Sequence, residues 1–282
     1  SHGDARRLDG AGVALASTGL FGVVFALVRG GDVGWTSAQI LAALTVGVVA
    51  LVGFLFQESR SDHAMLPLSL FRRRGFSAVN GVALFMSFGM FGSIFFLSQF
   101  LQIVQGLSPL QAGIRTLPWT AMPVLVAPIT GPLVGRIGGR TLITLGLFLQ
   151  AVGLGWIAVV IAPGTPYQDV VPAFVLSGIG MSLFFVPVAS VLLSSVPRIA
   201  EGVASGTNNA IRELGGVFGI SVLGAVFSGF GSYASRVSYM AGLVPAMRVG
   251  IGVVAAGAIV SAALPGLERT EQVEDELELE AA

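Results

Sequence analysis

Apolar residues gather into eight long runs, near 13–29, 38–56, 77–103, 112–134, 141–162, 170–195, 204–229 and 242–264, with short polar or Gly/Pro-containing segments between them. A helix rises about 1.5 Å per residue, so runs of about this length match the ~30 Å hydrocarbon layer of a bilayer. None alternates with the period of two that marks a barrel strand, and a spanning segment must satisfy its own backbone polar groups, so each run predicts a transmembrane helix. The expected fold is an all-α membrane protein. Residues 1–12 form a polar lead, 13–56 a pair of helices, 57–76 a polar linker, 77–264 a set of six helices and 265–282 an acidic tail. The tail, low in complexity, predicts a solvated, disordered segment. The opening SHGDARRLDG has neither an initiating Met nor a signal-peptide pattern and reads as the interior of a longer protein.

Arginine placement orients these helices, because cytoplasmic loops near span ends collect positive charge. Arg6 and Arg7, then Arg60 with Arg72, Arg73 and Arg74, then Arg136 and Arg140, then Arg198, then Arg269 fall in alternate segments. The opposite loops hold Arg29 and Arg236, with Arg115 at a span edge, so both termini are expected to be cytoplasmic.

With 54% hydrophobic and 11% charged residues and a mean hydropathy of +0.86, the chain cannot be a water-soluble domain. Net charge is zero and the basic residues are dispersed, which excludes a nucleic-acid partner. There is no Cys, and all fifteen basic residues are Arg, so thiolate metal sites, lysine Schiff bases and GxxxxGK[ST] phosphate loops are ruled out. His2 and His63 stand far apart in polar segments without metal-binding spacing. No cofactor, metal or enzymatic centre is expected.

Polar residues inside the apolar runs carry the candidate chemistry, since ionisable groups at membrane depth are expensive to keep. ASGTNNAIRELGGVFG at 204–219 holds Asn208, Asn209, Arg212 and Glu213, and Glu213 is the one carboxylate of fifteen acidic residues within the runs. Adjacent helical positions diverge by about 100°, so Arg212 and Glu213 need not pair with each other. Two roles stand open for them: a gate or structural contact, and proton coupling.

In the third run, Phe85, Phe88, Phe95, Gln99 and Gln102 recur at helical spacing and offer either a cavity wall for bulky apolar or cationic compounds or lipid-facing aromatics. Asn80 and Gln150 are further intramembrane polar candidates. Pro118, Pro123, Pro128 and Pro132 predict a bent fourth span. Ser108-Pro109 reads as its N-cap and first helical residue, Leu66–Arg74 as a short interfacial helix, and Trp35 and Tyr167 as interfacial aromatics. The glycines of 177–182 and the Gly215/Gly219 pair predict close helix packing rather than nucleotide binding.

Five stretches together resemble the major facilitator superfamily, in particular its fourteen-span drug:proton antiporters of the EmrB/QacA type. They are Gly34-Trp35, LPLSLFRRRGF at 66–76, QFLQIVQGLSPLQAGIRTLP at 99–118, GPLVGRIGGR at 131–140 and ASGTNNAIRELGGVFG at 204–219. The resemblance implies two extra helices followed by the carboxy-terminal six-helix bundle, with the amino-terminal six-helix bundle as a missing partner. It also implies export of hydrophobic or cationic drugs against protons by alternating access, in the plasma membrane of a bacterium.

The segment at 131–140 is similar to the family's GxLxDRxGRR gate loop. Gly131, Arg136, Gly138 and Arg140 match that pattern, while Gly135 stands at the acid position and removes the relay's carboxylate. Arg136 and Arg140 are then gate contacts or topology anchors. The competing reading is a non-transporting membrane module, or a truncated half that needs a separate amino-terminal bundle.

Overall fold

The computed structural model describes residues 10–60 and 68–263. Most of the polar lead, residues 61–67 of the linker with His63, and the acidic tail lie outside the described residues. All regular structure among the described residues is helical, and eight stretches are long and apolar enough to cross a membrane. Each coincides with one of the eight apolar runs.

The chain divides into two compact units at Arg72. In the first, α1 (Gly10–Val33) and α2 (Ala38–Arg60) pack as a hairpin closed by a turn in which Gly34 adopts φ +94°. Gly22 and Gly47 stand at the crossing; a methyl on Gly22 would lie 2.7 Å from the Ala43 carbonyl and 2.9 Å from the Gly47 Cα. The segment expected to lie at the interface contains a 3-10 helix, Leu68–Arg72, with Leu70 buried and Phe71, Arg72 and Arg73 exposed.

The second unit is a six-span bundle. Helix α3 (Arg74–Gln99) runs on through a π turn, Phe100–Val104. It is followed by α4 (Pro109–Thr120), α5 (Met122–Ile137), α6 (Gly139–Val160), α7 (Tyr167–Ser194), α8 (Glu201–Phe230) and α9 (Arg236–Ala263). Helix α3 packs along α8 and α9, α6 lies against α7 and α9, and α4 and α5 cover α7.

The expected bent fourth span is broken into two helices at Ala121. Pro123 has no N–H to continue the ladder, and the Val124 N–H reaches back only to the Ala121 carbonyl, at 3.1 Å. Trp119, fully buried and stacked on Phe174 at 5.9 Å, fixes the break against α7. Upstream, Ser108 caps α4 as expected: its Oγ accepts from the Gln111 N–H at 3.3 Å, and the Gln111 Oε1 accepts from the Ser108 N–H at 3.0 Å.

Small residues let the helices touch backbone to backbone. Gly146 of α6 and Gly180 of α7 face each other, Gly178 packs on the Trp119 carbonyl, and Gly215 and Gly219 of α8 lie on the Leu84 and Phe88 carbonyls of α3. Without a hydrophobic force between helices in lipid, such dispersion contacts are a main source of cohesion. At the far end of α3 and α8, Phe96, Phe227, Tyr233 and Tyr239 cluster, and the Tyr239 hydroxyl donates to the Phe96 carbonyl at 2.8 Å.

Candidate functional site

Helix α8 carries the polar segment that the sequence singled out, and its azimuth sorts those residues. Asn208 is buried against α3, where its Nδ2 donates to the Asn80 Oδ1 at 3.1 Å. Asn80, also buried, donates its own Nδ2 to the Phe76 carbonyl at 2.8 Å. Two predicted cavity residues thus meet as an interhelical tie. On another face, Ser205, Asn209 and Glu213 recur every four residues and are all exposed.

Arg212 lies between these faces. Its guanidinium carbon stands 4.2 Å from the centre of the Phe185 ring of α7, and its Nε is buried without a hydrogen-bond partner. Glu213 is turned to the exposed side, and among the described residues Arg212 forms no ion pair. A cavity of about 240 Å³ between α7 and α8 is lined by Phe185, Val188, Ser205, Asn208, Asn209 and Arg212, with further aliphatic residues. Arg212 follows Glu201, the first residue of α8, by three turns, which places it about 16 Å along the helix. The other carboxylates on described helices, Asp32, Glu58, Asp169 and Glu201, all lie within three residues of a helix end. Glu213 alone sits well inside a span.

The aromatic and amide residues of α3 do not form one open wall. Phe88 is buried where Gly219 crosses it, Phe85 packs toward Gly257 of α9, and Phe95 is half exposed. Gln99 is partly buried, and Gln102 turns back to donate to the Ser98 carbonyl at 3.2 Å. Gln102 also lies within the π turn, whose wider winding takes it out of phase with the residues before it. Gln150 is fully buried in α6, with neither side-chain polar atom hydrogen-bonded.

The gate-like loop joins α5 to α6 through Gly138, at φ +84°, where a β-carbon would be strained. Gly131 and Arg136 are exposed, whereas the Arg140 guanidinium donates to the Ala262 carbonyl at the end of α9. A cation on unsatisfied C-terminal carbonyls is favourable for both charge and hydrogen bonding.

A second arginine besides Arg212 lies inside a span, outside the residues predicted for the site. Arg248 lies near the middle of α9, twelve residues past Arg236, and is exposed. Sorting arginines by loop passes over it. The signal was an arginine inside an apolar run, the same signal that marks Arg212.

The sequence of residues 5–220 matches the family model described as Major Facilitator Superfamily. The chain is 33% identical over 224 residues to the multidrug resistance protein Stp of Mycobacterium tuberculosis, covering 79% of this chain and 41% of that protein. It is 31% identical to the tetracenomycin C resistance and export protein of Streptomyces glaucescens, with coverage of 79% and 41%. To the multidrug export protein EmrB of Escherichia coli it is 32% identical, with coverage of 78% and 43%. The chain thus spans about two-fifths of the length of the curated relatives it matches. Family match, multidrug-export relatives and eight span-length helices agree, and the chain belongs to the major facilitator superfamily of membrane transporters.

Proposed function

We propose that the chain is the carboxy-terminal part of a proton-driven secondary transporter, which exports hydrophobic or cationic drugs by alternating access. In this reading α1 and α2 are the two extra helices, α3–α9 are the second bundle, and both termini face the cytoplasm of a bacterial cell. The observation that carries it is the exposed Ser205, Asn209 and Glu213 stripe at membrane depth. Acyl chains offer no hydrogen bonds, and a carboxylate facing them is strongly disfavoured, so such a face belongs against a second bundle or a water-filled path. Alternating access needs both. The names of the relatives, which include a tetracenomycin C resistance and export protein, support drug-like cargo.

Glu213 is the proton-sensitive group on this half: protonation favours one facing state and cargo the other. The test is the full-length protein in proteoliposomes with an imposed pH gradient and ethidium as cargo. Gradient-driven ethidium flux with proton counter-movement is expected, and Glu213→Gln weakens or abolishes the coupling. Coupling unchanged in that variant, at normal expression, removes Glu213 from the mechanism; absence of gradient-driven flux in the unmodified protein removes the antiporter reading.

A further inference from the structure

The cavity between α7 and α8 has an uncommon charge balance for a membrane interior. Its one charged lining residue is Arg212, and no carboxylate lines it. A guanidinium stays protonated at any physiological pH, so burial cannot neutralise it as burial neutralises a lysine. The Phe185 ring covers the guanidinium from one side, which offsets a small part of the cost of removing a cation from water. The Nε remains buried and unbonded. Glu213, the carboxylate nearest in sequence, is exposed one turn beyond Asn209; its charge is felt at Arg212, but it makes no ion pair with it and does not line the cavity. The remaining polar lining is the Ser205 hydroxyl and the Asn208 and Asn209 amides, and Asn208 is already held by Asn80. At about 240 Å³, the cavity is smaller than the roughly 300–1,000 Å³ of pockets that enclose a whole drug. It fits one end of a ligand.

We infer that this cavity is a carboxylate-binding site, in which Arg212, backed by Phe185 and flanked by Asn209 and Ser205, takes a planar acidic group. A carboxylate supplies two oxygens at the spacing of guanidinium N–H donors, a direct ion pair that Arg212 does not make with Glu213. Two sources present that chemistry: the acidic end of a transported aromatic compound, or an aspartate or glutamate from a part of the full-length protein outside this chain. The first rests on the transporter reading and narrows its cargo to include aromatic acids; the second does not need it.

The test uses the purified full-length protein in detergent, with anthracene-9-carboxylate as fluorescent probe and its methyl ester as neutral counterpart. If the source is a small molecule, the acid binds and Arg212→Gln weakens it by at least tenfold, while ester binding changes less than twofold. Asn209→Asp is the second variant. It places a carboxylate three residues before Arg212, on an exposed lining position, and it weakens the acid by a similar factor and by more than it weakens the ester. If the source is the protein itself, Arg212→Lys introduces an amine into a chain that has no lysine. A carbodiimide then forms an amide from that amine to a carboxylate outside α8, mapped by mass spectrometry. Equal binding of acid and ester, unaffected by Arg212→Gln and Asn209→Asp, together with no such cross-link, overturns the site. Binding in detergent requires no transport. Failure of ethidium flux with acid binding intact rejects the transporter reading alone, and flux without acid binding or cross-link rejects the carboxylate site alone.

Discussion

Adding one methyl group at Gly146 tests whether backbone contact between α6 and α7 holds the bundle together. A β-carbon there would lie 2.7 Å from the Gly180 carbonyl oxygen and 2.8 Å from the Phe184 nitrogen. Both are backbone atoms of a packed helix and cannot rotate away. Ordinary contact begins at about 3.5 Å, so the two helices must part by roughly 0.8 Å. Forced overpacking of this kind costs about 1–3 kcal/mol, against which alanine gains about 1 kcal/mol over glycine in a helix interior. Gly155 supplies the control on the same helix, because a methyl group there meets nothing within 4 Å. Gly155→Ala is expected to show only the gain, and Gly146→Ala to be less stable than Gly155→Ala by about 1–3 kcal/mol. The measurement is SDS-induced unfolding of the purified full-length protein, followed by tryptophan fluorescence. Trp119, buried against α7, reports loss of packing in the same bundle. Gly180→Ala should behave like Gly146→Ala, and the double variant should cost less than the sum, because one separation accommodates both methyls. Equal stability of Gly146→Ala and Gly155→Ala would refute the claim that close approach at this crossing matters.

Asn208→Ala strands the Asn80 Oδ1 in the core and is expected to cost about 1–3 kcal/mol in the same titration, with the Asn80→Ala/Asn208→Ala pair costing less than the sum of the singles. Ser108→Ala removes half of a capping box and should cost about 1 kcal/mol; hydrogen exchange at the first-turn amides of α4 should accelerate, and unchanged exchange there would count against the cap. Arg140→Gln shortens the donor on the Ala262 carbonyl, and faster exchange in the last turn of α9 is the expected sign. No change in that turn means that the arginine serves only the loop.

The eight spans were legible because an apolar run of about twenty residues has little use except to cross a bilayer, and the structure places a helix on each. The glycine pairs were legible for a related reason: in a chain already committed to lipid, regularly spaced small residues have packing as their main use. Four prolines announced distortion of the fourth span, yet the position of the break depended on Trp119 seating against Phe174, a tertiary fact. Azimuth was the larger gap. Depth along α8 follows from counting residues, but whether Asn208 or Asn209 turns inward depends on where α3 lies, so the former became a buried tie and the latter an exposed group. Phe88 is likewise buried, at the crossing where Gly219 of α8 lies on its backbone carbonyl. Arg248 was readable and was passed over, because topology rules assign charges to loops and have no place for a cation at mid-span.

A π turn accommodates one residue more than an α-helical path of the same pitch would hold, so Phe100–Val104 can be viewed as a single-residue insertion absorbed without a loop. Relatives that keep an uninterrupted helix here would align with a one-residue gap inside a membrane span, a place where gaps are normally refused. Shortening this stretch by one residue would leave the hydrophobic length almost unchanged while swinging everything from Gln105 through the Ser108 cap about a quarter-turn around the axis of α3. The loop that follows α3 is therefore aimed by a counting irregularity in the backbone, one residue in size.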